Sequence, residues 1–236
     1  MVSSFSFFIP MLERLLKRPV RLDPNIPVGL LMWQILSAFT GLLRGVFLTR
    51  RKLVLERGAR ITDLRRFHSD GGLVRIGQHS RLECVSEKGI RVGRNFKLGA
   101  FSRMVASGTL SDLGYGITID DNVGISEYAY IGGAGGVSIG SDTIVGQYFS
   151  VHSENHVFSD PETLIRDQGV SRQGIEIGSD CWIGAKVTIL DGVSLGRGCV
   201  VAAGSVVNQN FPDHSIIGGV PARLLRMREV DSVPAP

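Results

Sequence analysis

Residues 177–207 read IGSDCWIGAKVTILDGVSLGRGCVVAAGSVV, and the spacing within them decides the fold. Ile177, Ile183, Ile189, Leu195, Val201 and Val207 stand six residues apart, most of them followed by Gly or another small residue. A period of six matches neither a helix nor an alternating strand. It matches a solenoid of short strands joined by tight turns, three strands to a coil, with one aliphatic side chain per wall pointing inward. Residues one coil apart, roughly eighteen positions, then stack at the usual strand spacing of about 4.8 Å. Ile177 is expected beneath Leu195, and Ile183 beneath Val201. Cys181 and Cys199 share that step, which assigns them to core packing rather than catalysis.

Outward from this stretch the same phase continues. Ile76-Gly77 precedes Leu82, and Val92-Gly93 leads to Leu98-Gly99 and Met104. Ile119, Ile125 and Ile131 follow, then Ile139-Gly140, Val145-Gly146 and Val151. The register breaks at 86–91, at 105–118 and at 152–176. A long excursion from an otherwise regular solenoid is more often functional than accidental.

The chain has 236 residues, enough for one sizeable core with an appendage. Its 30 glycines lack a triplet period, which excludes collagen, and three cysteines exclude a disulfide scaffold. A reducing cytosol is the expected setting. The net charge of +4 is uneven: residues 1–58 carry nine Lys/Arg against three Asp/Glu, and the remainder is slightly acidic. That distribution suits an anionic membrane surface and not a nucleic-acid groove on the main body.

Residues 28–48, VGLLMWQILSAFTGLLRGVFL, hold fourteen apolar residues and one charge, Arg44. Gln34, Ser37, Gly41 and Arg44 recur at helical spacing as a narrow polar stripe, and Arg50, Arg51 and Lys52 follow at once. This pattern predicts a helix lying in a membrane interface or packed on a hydrophobic patch of its own oligomer. An amphipathic helix burying its apolar face on the protein is the plainer alternative. A membrane span comes next, and a cleaved signal peptide last.

The sequence resembles the left-handed β-helix (hexapeptide-repeat) acyltransferases, especially the maltose/galactoside acetyltransferases and the O-acetyltransferases of surface polysaccharides. The carrying residues are Ser153-Glu154-Asn155-His156, the run from Ile177 to Ala185, and Asp191-Gly192-Val193-Ser194-Leu195-Gly196. Ala202-Ala203-Gly204-Ser205-Val206-Val207 and the segment from Gly218 to Arg226 complete the set. The match is good over 117–228 and loose over 74–104. It implies an all-β, left-handed parallel β-helix over 59–228 with a loop at 152–176, preceded by a helical segment at 1–58 and followed by a tail at 229–236.

The resemblance further implies a homotrimer with active sites between subunits, acetyl-CoA lying along the solenoid, and His156 as general base toward a sugar hydroxyl. A hydroxyl is a poor nucleophile at neutral pH. A positioned imidazole that removes its proton during attack is typically worth about 10²–10⁴ in rate. By family position the Ala185 amide would stabilise the oxyanion, and the thiolate of CoA would depart without an acyl-enzyme.

On the donor side the resemblance carries over Trp182, Ala185, Ala203, Asn208, Gln209, Arg223 and Arg226, the arginines suiting phosphates. Asn208-Gln209 stands where the galactoside branch usually has Thr-Lys. On the acceptor side Ser126 replaces a family Asn, which points away from small galactosides. His152 is expected on the surface or lining the acceptor cleft, and Glu154 or Asp160 is expected to orient His156. His68, His79 and His214 read as surface residues.

The expected activity is O-acetylation of a cell-envelope polysaccharide sugar or its lipid-linked precursor, with no metal, in the cytoplasm and at the inner face of its membrane. N-acetylation of an amino sugar or another small acceptor stays open. So do a zinc lyase of γ-carbonic-anhydrase type, raised by His152 and His156, and a non-catalytic scaffold.

Overall fold

The computed structural model describes residues 23, 25–109 and 111–228. The expected tail at 229–236 and the chain before Asp23 lie outside the described residues. From Val54 onward the chain winds into a three-sided left-handed parallel β-helix. Strands of two or three residues climb each wall in parallel register. The first wall holds Val54–Leu55, Arg75–Ile76, Lys97–Leu98, Gly124–Ile125, Ile144–Val145, Trp182–Ile183 and Val200–Val201. The second runs from Arg60–Thr62 to Val206–Val207, and the third from Phe67–Ser69 to Ser194–Leu195. The first coil starts at Val54, inside the segment that the sequence assigned to the helical N-terminus.

The expected stacking holds: Ile177 pairs with Leu195, and Ile183 with Val201. One aliphatic column per wall forms the core. On the first wall it runs Ile76, Leu98, Ile125, Val145, Ile183, Val201 and Ile217, each nearly fully buried. Apolar area removed from water, at about 25 cal/mol per Å², drives this assembly, and the ladders satisfy the backbone. Cys181 and Cys199 are buried in the same core. Glycine after the aliphatic residue has a steric cause. A Cβ on Gly184 would stand 2.6 Å from the Ala203 amide nitrogen of the next coil.

The three corners differ in chemistry. The first-to-second corner carries His79, Phe101, Tyr128 and Tyr148, all at positive φ, with successive rings stacked 5.4, 5.3 and 5.0 Å apart. The third-to-first corner carries an amide ladder, in which Asn95 donates to Asn122 and Asn122 to Asp142, each at 2.9 Å. All three breaks in the sequence period fall at the remaining corner. There the second-wall strands end at Glu83, Val105 and His152, and the third-wall strands begin at Ile90, Ile117 and Ile175. We call it the loop corner.

Both ends of the solenoid are covered. Ser215–Gly219 turns back into the antiparallel strand Ala222–Met227 at one end. At the other, helix α1 (Val28–Thr49) crosses the edge strand Val54–Leu55. Its buried positions are Leu31, Gly41, Gly45 and Thr49. Gly45 approaches so closely that a Cβ would collide with the Leu53 carbonyl oxygen, and Arg44 donates to the Leu55 carbonyl at 3.0 Å. This corrects the plainer expectation for the helix. Apart from Leu31, the face turned to the protein is small and polar, while Trp33, Leu36, Phe39, Leu43 and Phe47 face outward. The reason is distance: backbone carbonyls of the edge strand need a close approach and donors, which Gly45 and Arg44 supply and leucines would not.

Candidate active site

His156 sits on the excursion 152–176, and the roots of that excursion are pinned. Buried Ser153 donates to the Gly132 carbonyl at 2.8 Å and accepts the Gly135 amide at 2.9 Å. At the returning end, the Asp191 carboxylate accepts the amides of Gln173 and Gly174 at 2.9–3.0 Å. Between the roots, Asn155–His156 pairs antiparallel with Val170–Ser171, His156 opposite Val170. The hairpin thus lifts an exposed imidazole off the prism on a hydrogen-bonded arm. Among the described residues the ring takes no hydrogen bond within the chain.

Neither expected orienting carboxylate reaches His156. Glu154 accepts from Arg172 Nε at 2.7 Å. Asp160 accepts the Thr163 hydroxyl at 2.7 Å and the Glu162 amide at 2.9 Å, and these bonds hold its carboxyl below the usual range. A short loop turn satisfies itself locally before it can serve a neighbour. His152 is exposed, as expected of an outward position. It shares a 2.8 Å hydrogen bond with Ser150 Oγ and stacks on Tyr130 at 5.5 Å.

The remaining predicted residues divide between two corners. Outward positions on the first wall form the row Lys97, Gly124, Ile144, Trp182, Val200, Ile216 and Arg226. Arg223 lies on the same wall opposite Gly218. Ser126, Ala185 and Ala203 occupy the adjoining aromatic corner. Ser126 and Trp182 line one groove of about 330 Å³ together with Gly99, Gly124 and Gly146. Asn208 and Gln209 separate from the other donor residues. They follow the second-wall strand Val206–Val207 and so sit at the loop corner, on the side of His156.

Ala185 has a property that the sequence did not reveal. The amides of Gly184 and Lys186 donate to Val201 and Gln147 at 2.8 and 2.7 Å, whereas the Ala185 amide finds no acceptor within the chain among the described residues. The equivalent amides of Glu127, Gln147 and Ala203 likewise find no acceptor within the chain among the described residues, so this corner offers a row of free N–H groups, any of which is a donor for a developing oxyanion.

Two further features were missed. Arg172, from the long break, bonds both Glu154 and Asp112. A groove of about 440 Å³ runs along the third wall beneath the loop corner, where Thr118, Ser138, Glu176 and Ser194 form a polar outward row. Lys88 lies over the Tyr115 ring at its rim, 4.3 Å from the centroid. A hydroxyl or carboxylate side chain at the one outward position of each of these third-wall strands was the available signal. Among the described residues no group of three or more His, Cys, Asp or Glu could hold a metal ion.

Comparison with known proteins agrees with the fold and with an acyltransferase activity. Residues 174–209 match the family model "Bacterial transferase hexapeptide (six repeats)". The chain is 29% identical to Escherichia coli "Putative lipopolysaccharide biosynthesis O-acetyl transferase WbbJ", over 81% of this chain and 89% of that one. It is 35% identical to "Probable acetyltransferase Rv3034c" of Mycobacterium tuberculosis, over 40% of this chain and 31% of that one. Among solved structures, a mutant of AntD superimposes with a TM-score of 0.54 at 20% identity, covering 70% of this chain and 84% of that one. AntD is an N-acyltransferase from Bacillus cereus, crystallised with dTDP and coenzyme A, and this likeness concerns the fold.

Proposed function

We propose that this chain, an acyltransferase that carries the hexapeptide repeat, transfers acetyl from acetyl-CoA to a hydroxyl of a cell-envelope sugar or its lipid-linked precursor. The observation that carries the reading is the exposed His156 imidazole on an anchored arm. The name and long alignment of WbbJ favour a sugar hydroxyl.

His156 accepts the hydroxyl proton as the oxygen attacks the thioester carbonyl, forming a C–O bond. The Ala185 amide donates to the resulting oxyanion. The C–S bond then breaks, the carbonyl reforms, and CoA leaves as thiolate to be reprotonated by the imidazolium. The proton count closes without a covalent acyl-enzyme. Trp182, Arg223 and Arg226 on the first wall and Ala203 at the aromatic corner hold the donor, and Asn208 and Gln209 take the polar contacts that a cation would otherwise make. Ser126, His152 and Glu154 border the acceptor.

The active unit on this reading is a homotrimer. His156 and the first-wall donor residues lie at different corners of one subunit, so a loop corner must meet the aromatic corner of a neighbour. Phe158, Leu164 and Ile165 are exposed at 74%, 68% and 55% near the arm's tip and offer apolar contacts to that neighbour.

The enzyme works in the cytoplasm at the inner face of the membrane. The outward apolar face of α1, with exposed Arg50 and Lys52 beside it, supports docking on an anionic bilayer that displays lipid-linked sugars. The decisive test is release of free thiol from acetyl-CoA across a panel of sugar acceptors. Wild type should turn over and a folded His156→Ala variant should not; equal turnover by both would reject the base.

A further inference from the structure

The two long excursions at the loop corner are joined by one side chain. Arg172 lies next to the strand Val170–Ser171 that backs His156. Its Nε donates to Glu154 at 2.7 Å, in the link that leads into the histidine's strand. Its Nη1 donates to Asp112 at 2.9 Å and reaches the Leu113 carbonyl at 3.4 Å, both in the excursion 105–118. The guanidinium is largely sequestered, its side chain 18% exposed. Room for it exists because Gly108 and Gly135 lack side chains; a Cβ on Gly108 would come within 2.7 Å of Nη2.

The energetics point away from a purely stabilising role. Nη2 is buried and finds no hydrogen-bond partner among the described residues. Burial opposes the charge, and the bonds to Glu154 and Asp112 outweigh it, leaving the guanidinium more firmly protonated than usual. The guanidinium is part-buried with an orphaned donor while the Asp112 side chain is 55% exposed, an arrangement that adds little net stability but fixes geometry. Arg172 is planar and bonds two carboxylates in different directions, which a lysine cannot reproduce.

We propose that Arg172 is a positioning residue: it clasps the excursion 105–118 to the arm of His156 and sets where the imidazole meets the acceptor. Asp112, distant in sequence, is its counterpart. The claim rests on His156 acting as base, yet its structural half can be tested without that.

The test uses the full-length protein and thiol release from acetyl-CoA, with glucose, galactose and N-acetylglucosamine as acceptors, and with water if none supports turnover. Arg172→Ala should lower kcat about 100-fold, since a misplacement of about 1 Å costs that much, while KM for acetyl-CoA stays within about twofold. Asp112→Asn should lower kcat in the same direction, and the double variant should fall no further than Arg172→Ala. Arg172→Lys should recover only part of the loss. Amide hydrogen exchange should quicken in both 106–116 and 153–173 in Arg172→Ala, with the rest of the solenoid unchanged. Unchanged kcat, a loss confined to KM for acetyl-CoA, additive single variants, or faster exchange in one excursion alone would each overturn the clasp. If His156→Ala kept full turnover, the base would be rejected, and the exchange result would still decide the clasp.

Discussion

His156 and Trp182 belong to different sides of one prism. The histidine rides an arm leaving the loop corner, and the tryptophan stands in the outward row of the first wall, paired with Ile144 and Val200. If one subunit supplies the base and its neighbour the donor groove, two inactive variants should complement each other. Unfolding and refolding His156→Ala together with Trp182→Ala should restore about a quarter of the wild-type sites, the fraction set by random mixing around a ring. Mixed trimers without activity would show that a site is complete within one chain.

Replacing Ile183 by Ala should cost about 2–5 kcal/mol, measured by denaturant unfolding, because it opens a cavity between Val145 and Val201 in the core column. The solenoid is quasi-one-dimensional, so the loss should spread mainly to adjacent coils in hydrogen exchange. Replacing Ile144, an exposed outward neighbour, should cost well under 1 kcal/mol.

The outward face of α1 gives a membrane test. Trp33 and Phe47 are exposed at 64% and 87%, far above what a buried helix face shows. The wild-type protein should co-sediment with vesicles of anionic phospholipid, less so at high salt. Trp33→Glu combined with Phe47→Glu should abolish co-sedimentation without changing thiol release toward a soluble sugar. Undiminished binding by that variant would exclude the helix as anchor.

Thiol chemistry should be dispensable. Cys84, Cys181 and Cys199 are all buried. Burial pushes the Cys84 thiol up to about 12; within the Cys181–Cys199 pair the shared hydrogen bond raises Cys181 and lowers Cys199 to about 7, so it is the full burial of Cys199 that keeps reagent from it. Iodoacetamide should modify none of them in the native protein at pH 7 and all three after denaturation. The variants Cys199→Ala and Cys84→Ala with Cys181→Ala should each keep kcat; loss of turnover in a folded variant would implicate a thiolate.

Asp121 accepts both the amide and the guanidinium of Arg94, which holds its carboxyl below the usual range. A depressed carboxylate contributes stability that is present above its unfolded value and lost as pH falls through its folded value. Asp121→Asn should therefore lower the melting temperature slightly at pH 7, and the difference should vanish in acid. A difference that grew as pH fell would contradict the assignment.

The hexad phase made the walls, the inward aliphatic columns and the stacking of Ile177 on Leu195 legible before any coordinates, because a side chain in a six-residue strand-and-turn unit has one inward position. The same phase marked where the chain leaves the prism. It could not show that all three departures share one corner, since that depends on the coil lengths accumulated around the axis. His156 was legible through its neighbours in sequence. Arg172 was not, because its partner Asp112 lies in another excursion, and charges meet only once both loops are folded.

What the sequence by itself determined, then, is the solenoid and its core: a local pattern repeated often enough that burial has one solution. Tertiary structure alone decided the orientation of α1, with Gly45 and Arg44 inward and the large apolar residues outward, because close contact with an edge strand outweighed the hydrophobic pattern of the helix. It also decided that His156 leaves the loop corner while Trp182, Arg223 and Arg226 stand on the first wall, a consequence of winding that no linear spacing encodes.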